Sequence, residues 1–363
     1  MITSGEFAGP KLPPQDPPAT DTRTPSSPRI VELDALRGIA ALAVVFHHLV
    51  SRFYEDFGTP PGAIPALPFR GMEGVFLFFI ISGFVISQTL ERTRRARDFV
   101  VSRFSRIFPS FWICVLLTFG VVRVFGLPGR EVGFGEALVN LTMLQDHFHV
   151  AQVDYVYWSL TVELTFYAIA GAAHSRGWLS RHPHRVAWTW LAYSAAFALA
   201  WRVFGVDLPE NVKLLTLPTY APLFVAGIMF HLLHAGRGTR QTHAIIACCL
   251  ALHNVLTWGG KTGLVLSSGM FLCFYLVSYG RLAFLRAAPL LFLGAISYAL
   301  YLLHDNIGLV LIRELMGAGA GYRIALVVAL ILVLGLAWSV ANLVEKPAMR
   351  WIRSRLKPAP AAP

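Results

Sequence analysis

A few ionisable residues set in long apolar runs carry the chemistry of this sequence. The first run opens Glu32-Leu-Asp34-Ala-Leu-Arg37-Gly38 and ends at His47-His48. Arg37 and His48 are eleven residues apart, about 20° past three helical turns, so on a helix they share one stripe about 16 Å long. Asp34 falls one turn before Arg37 on nearly the same face. Glu163 sits in Trp158-Ser-Leu-Thr-Val-Glu163-Leu-Thr-Phe166-Tyr167, flanked by apolar residues. Tyr301 and His304 lie three apart in Ser297-Tyr298-Ala-Leu-Tyr301-Leu-Leu-His304-Asp305. Arg103 and Arg106 close an arginine-rich stretch that begins at Arg92. An imidazole takes and gives protons near neutrality. Arginine forks suit phosphate oxygens. Arg37, Arg103 and Arg106 would therefore hold a phosphate-bearing ligand whose reactive end points towards His48. Each residue also has a structural account: a snorkelling arginine, a satisfied interhelical histidine, a carboxyl that joins helices, a Tyr–His hydrogen bond, or a basic anchor on anionic lipid.

The elements that must position these groups are membrane spans. The 363 residues are 55% hydrophobic and 14% charged, where soluble domains carry about 25% charged residues. A soluble core could not hide so much apolar surface, so lipid must cover part of it. Residues 1–30, rich in proline, read as a disordered cytoplasmic tail. Residues 31–350 read as the transmembrane domain and 351–363 as a short cytoplasmic tail. Ten segments are long enough to span at about 17–25 residues each: 35–53, 74–90, 107–126, 155–173, 186–204, 214–234, 241–257, 263–280, 288–310 and 323–344. Within the connection 127–154, Phe134 to Leu144 would form a short interfacial helix. The loops on one side hold the greater part of the 31 Lys and Arg, which puts both termini in the cytoplasm. The fold class expected is thus all-α, an integral membrane protein of about ten helices. At about 1.5 Å per residue, His48, His304 and Glu163 fall at similar depth, slightly outside the midplane. Ionisable groups there are costly and functional by default.

Other chemistries lack support. The formal charge of +11 lies in short clusters between apolar runs rather than in one basic patch, so no nucleic-acid partner is expected. Cys114, Cys248, Cys249 and Cys273 lie inside apolar runs with no CxxC or His-paired spacing. His147 and His149 near Asp146 lack a further ligand at useful spacing, so no metal is expected. No GxxxxGK[ST], GxGxxG or GxSxG motif stands in a context that would make it a site.

Six motifs in order resemble a known family. They are Leu33-Asp34-Ala-Leu-Arg37-Gly38 with His48, the Gly74–Phe84 run, Arg103-Phe-Ser-Arg106-Ile-Phe-Pro109, the Trp158–Tyr167 run, the Ser297–His304 run, and Glu345-Lys346-Pro347. The chain resembles an acyltransferase-3 integral membrane protein, over most of Glu32 to about Arg350. The resemblance implies ten spans and transfer of an acyl group, usually acetyl, from cytoplasmic acyl-CoA to a hydroxyl on an extracytoplasmic or lipid-linked carbohydrate or a small molecule. The acyl-CoA is a substrate and no permanently bound cofactor is implied. The resemblance carries catalytic roles onto Arg37, His48, Glu163 and His304, and CoA binding onto Arg37, Arg103 and Arg106. Asp305 departs from the pattern, since the family often has Pro or an apolar residue after the histidine. Some relatives add an SGNH hydrolase-type domain, which is not expected here. The location implied is the inner membrane, multi-pass. A proton-coupled secondary transporter would also carry His and Glu near the midplane, although no internal repeat is visible and the arginines would go unused. The oligomeric state is left open.

Overall fold

A computed structural model of the protein describes residues 30–65, 71–93, 95–257 and 260–356. The proline-rich stretch expected to be disordered lies outside the described residues apart from Ile30, as do Arg94 and residues 357–363.

Helix α1 (Val31–Phe46) runs through a π turn at His47–Arg52 into α2 (Phe53–Phe57). Then follow α3 (Met72–Glu91), α4 (Ala96–Phe125), the short α5 (Phe134–Asn140), α6 (Trp158–Ser175), α7 (Trp178–Arg181) and α8 (Pro183–Phe204). After them come α9 (Glu210–Thr216), α10 (Ala221–His234), α11 (Arg240–Thr257), α12 (Gly260–Ser278), α13 (Ala288–Leu303), α14 (Asp305–Gly317) and α15 (Tyr322–Val340). A second π turn, Ala341–Glu345, leads into α16 (Lys346–Leu356). No strand occurs among the described residues.

The protein is an all-α membrane protein. Each of the ten expected segments falls on a helix or a helix pair. By length and composition, however, six helices among the described residues can cross a membrane, or seven if one bent pair is a single span. Helices α6, α8 and α11 reach 18, 22 and 18 residues but carry more polar groups.

Several boundaries differ from the expectation, each for a local reason. The segment 288–310 is not one straight helix, because α13 and α14 meet at 74°. His304 causes the break. Its Nδ1 lies 2.8 Å from the Tyr301 carbonyl oxygen and 3.2 Å from that of Leu300, so a side chain satisfies carbonyls that the next helical turn would otherwise use. Asp305 then supplies a negative charge to the first turn of α14, where the helix dipole favours it. The segment 214–234 falls within a single candidate span, Glu210–His234, interrupted between α9 and α10 where Leu217 adopts φ 52° and Pro218 cannot continue a helix. The interfacial helix ends at Asn140 rather than Leu144, where the Asn140 side chain ties the helix end to the following loop, donating to the Ala151 carbonyl oxygen at 2.8 Å and accepting from the Val153 N–H at 3.0 Å. Residues 351–356 are helical, as the end of α16.

Two crossings of small residues fix the centre of the bundle. A Cβ at Gly294 would sit 2.2 Å from the Asp34 carbonyl oxygen, and one at Gly38 2.6 Å from the Gly294 nitrogen. Helices α1 and α13 therefore touch backbone to backbone, as membrane helices do at small residues. Gly83 of α3 and Gly227 of α10 make a second crossing, where an added Cβ would meet the Phe224 and Ile80 carbonyl oxygens at 2.2 and 2.1 Å.

Candidate active site

Helices α1 and α13 run parallel from a common end, where Arg286 just before α13 donates to buried Glu32 at 2.7 Å. They cross at Gly38 and Gly294. Ten residues beyond the crossing on each helix stand His48 and His304. Equal arms from a shared contact bring the two imidazoles together: His48 Nδ1 lies 2.9 Å from His304 Nε2, with the rings stacked at 7°.

The hydrogen-bond network assigns the protons. A carbonyl only accepts, so His304 Nδ1, set against two carbonyls, carries the hydrogen. With both rings neutral, His304 Nε2 then accepts and His48 Nδ1 donates. His48 Nε2 is left with its lone pair. His48 is 20% exposed, whereas Asp305 beside it is 2% exposed, with Oδ1 3.9 Å from His48 Nδ1. That oxygen has no hydrogen-bond partner among the described residues.

Arg130, from the connection between α4 and α5, neutralises Asp305. It donates to Asp305 Oδ2 at 2.8 Å and to Asn306 Oδ1 at 2.7 Å, and it bonds Asp56 of α2 as well. Burial opposes the charge on Arg130, but the Asp305 and Asp56 carboxylates raise its pKa above the ordinary arginine value. Asp154, which accepts from the Asn306 backbone N–H at 3.2 Å, is pushed well above the usual carboxylate range by burial and by the charge of Asp305. The π turn at His47–Arg52 sets the height of His48. Its irregular backbone is tied down by the Tyr322 hydroxyl, which donates to the Leu49 carbonyl oxygen at 2.9 Å. Such turns often mark functional positions.

Nearer the other end of the two helices lies a basic cluster. Arg37 pairs with Asp34 at 3.5 Å and feels the charges of Arg106 and Glu163. Arg106 bonds Glu345, a buried carboxylate in the second π turn. Arg103 donates to the Thr89 hydroxyl at 3.3 Å and stands over the Tyr167 ring at 5.9 Å. Its buried Nε has no partner among the described residues. Arg353 of α16 reaches in to donate to Ser105 at 3.2 Å.

The sequence-derived residues thus separate into two groups. His48 and His304 meet. Arg37, Arg103 and Arg106 gather in the basic cluster. Glu163 does not join the histidines: it accepts from Ser82 at 2.7 Å and from Tyr167, on the side of Arg37. The carboxylate beside His48 is Asp305 instead, because the bend after His304 turns it inward. Sequence reasoning missed Arg130, Asp56 and the partnership of Glu345 with Arg106. Glu345 was visible as part of a motif, whereas Arg130 sits in a loop and gave no periodic signal.

The family model described as an acyltransferase domain matches residues 30–342. The chain belongs to this acyltransferase family. Acyltransferase MdmB of Streptomyces mycarofaciens is 28% identical over 93% of this chain and 96% of its own length. The O-acetyl transferase of Shigella phage Sf6 is 29% identical over 39% of this chain, and the match spans 44% of the phage protein. A putative peptidoglycan O-acetyltransferase of Bacillus subtilis, YrhL, is 23% identical over 61% of this chain and 32% of its own. No solved structure matches the chain. The acyltransferase is a multi-pass membrane enzyme.

Proposed function

We propose that the acyltransferase moves an acyl group, acetyl in the simplest case, from cytoplasmic acyl-CoA to a hydroxyl of an extracytoplasmic or lipid-linked carbohydrate, in the inner membrane. The observation that carries this reading is the two-ended site on α1 and α13. A basic cluster able to bind phosphates lies about 16 Å along the helix from an imidazole with a free lone pair, a span suited to a pantetheine arm. The names of relatives as O-acetyl transferases, one of them directed at peptidoglycan, favour a hydroxyl acceptor on a glycan.

In this mechanism Arg37, Arg103 and Arg106 hold the CoA phosphates, with Asp34 fixing Arg37 and Glu345 fixing Arg106. The acceptor hydroxyl donates to His48 Nε2. As its oxygen attacks the thioester carbonyl carbon, the proton passes to His48. The His304 lone pair stabilises the imidazolium through its Nδ1–H, and the Asp305 carboxylate does so by its charge from 3.9 Å. The tetrahedral intermediate collapses, the C–S bond breaks, and the His48 proton goes to the departing thiolate. The products are the O-acyl ester and free CoA.

The test uses purified protein in liposomes with radiolabelled acetyl-CoA and an extract of envelope glycans. Wild type is expected to transfer label and release CoA, and His48→Ala to lower transfer by about 10²–10⁴-fold. Retained transfer in the variant removes His48 from the chemistry.

A further inference from the structure

We infer that a cavity of about 390 Å³ at the histidine end is a subsite for a neutral sugar ring of the acceptor, next to the ring that is acylated. The inference rests on the carbohydrate reading above and adds where that carbohydrate binds. The cavity is lined by Trp158, Tyr220, Asp146, His149, Glu210 and Lys213. Its volume lies within the range of small-molecule sites, about 300–1,000 Å³.

Three observations point to a sugar. The first is an aromatic wall. The Trp158 and Tyr220 ring centroids are 5.7 Å apart at 34°, and Phe79 packs behind both at 6.2 and 5.2 Å. Rings fixed in this way offer a flat apolar face to the C–H face of a pyranose. The second is the polar lining. The Asp146 carboxylate is held by Gln152 at 2.6 Å and by Thr161 at 2.8 Å. Glu210 pairs with Lys213 at 2.6 Å. Lys213 also bonds Asp207 at 2.9 Å, so the lining is net acidic and disfavours an anion, and a fixed carboxylate accepts from vicinal hydroxyls.

The third is the backbone. Among the described residues three non-glycine residues have positive φ: Met143, His149 and Leu217. His149 and Leu217 line the cavity. The Met143 carbonyl oxygen lies 3.1 Å from the Thr161 hydroxyl that holds Asp146. Strained backbone of this kind gathers at ligand sites.

A short chain of contacts links the cavity to the histidine pair. Ser159, the residue after Trp158, lies 2.7 Å from the Tyr301 hydroxyl, and the Tyr301 ring is 5.7 Å from that of His304. A glycan seated on Trp158 would therefore present a neighbouring ring towards His48.

The experiment measures label transfer from acetyl-CoA to a size-fractionated glycan extract of the native host's envelope, with the full chain in nanodiscs. Trp158→Leu and Glu210→Gln are expected to raise the KM for glycan about tenfold while the donor KM moves less than twofold. Trp158→Phe keeps a ring and is expected to stay within threefold of wild type. A glycan KM unchanged in Trp158→Leu and Glu210→Gln overturns the subsite, and so does a loss in Trp158→Phe as large as in Trp158→Leu. Wild type that releases CoA but labels no glycan fraction overturns the carbohydrate reading itself, a result distinct from either.

Discussion

One backbone contact decides which nitrogen of His48 is free. His304 Nδ1 is committed to the Tyr301 carbonyl, and the tautomer passes from His304 to His48 without a further residue. In the proposed transfer Asp305 meets the charge that His48 acquires, and Arg130 holds Asp305 in place. Arg130 and Asp305 have side chains 5% and 2% exposed, so their separation leaves a buried charge. Arg130→Met is expected to lower stability by about 3–5 kcal/mol, measured as thermal unfolding in detergent. Arg130→Met combined with Asp305→Asn removes both charges and should recover most of that loss. Its turnover should nonetheless remain at least tenfold below wild type, because the imidazolium has lost its carboxylate. Wild-type turnover in the double variant would reduce the pair to a structural staple.

At the scale of elements, the Gly38–Gly294 crossing positions the chemistry. Gly294→Ala puts a methyl group against the Asp34 carbonyl and forces α1 and α13 apart. Overpacking of this kind costs about 1–3 kcal/mol, and here it also separates His48 from His304. Gly227→Ala overpacks the α3–α10 crossing and spares the histidine pair. Turnover measured at matched folded yield should therefore fall much further in Gly294→Ala than in Gly227→Ala. Much of this layout was legible in the sequence. Apolar runs and their length revealed the helices, although six or seven of them among the described residues, not ten, can cross a membrane by length and composition. The partnership of Glu163 was not legible, because which face of α6 meets which neighbour depends on packing. The bend at His304 was hidden as well. Tyr-Leu-Leu-His-Asp reads as continuous helix until the imidazole is seen to take the carbonyls. Arg130 was counted only as a loop charge, since long-range ion pairs leave no mark in local pattern.

For the whole molecule, the decisive property is sidedness. The arginine end and the histidine end are built from the same two helices, and α16, basic at its close with Arg353 and Arg355, braces the arginine end through Ser105. If that end faces the cytoplasm, a cysteine placed at His149 in a cysteine-free background should react with a membrane-impermeant maleimide added outside intact spheroplasts. A cysteine at Arg240 should react only after lysis. The reverse pattern would invert the enzyme and put the donor outside.

The equal arms beyond Gly38 and Gly294 act as a pair of calipers. Ten residues make an arm of about 15 Å, so opening the jaws by about 4° moves the tips by about 1 Å, a misplacement that can cost about 10² in rate. Helix tilt responds to the thickness of the surrounding bilayer. Arg37, one residue from the pivot, barely moves in such a motion, while His48 at the tip moves most. Turnover assayed in liposomes of graded chain length is therefore expected to vary while the donor KM holds steady, which would make the bilayer that houses this acyltransferase its gauge.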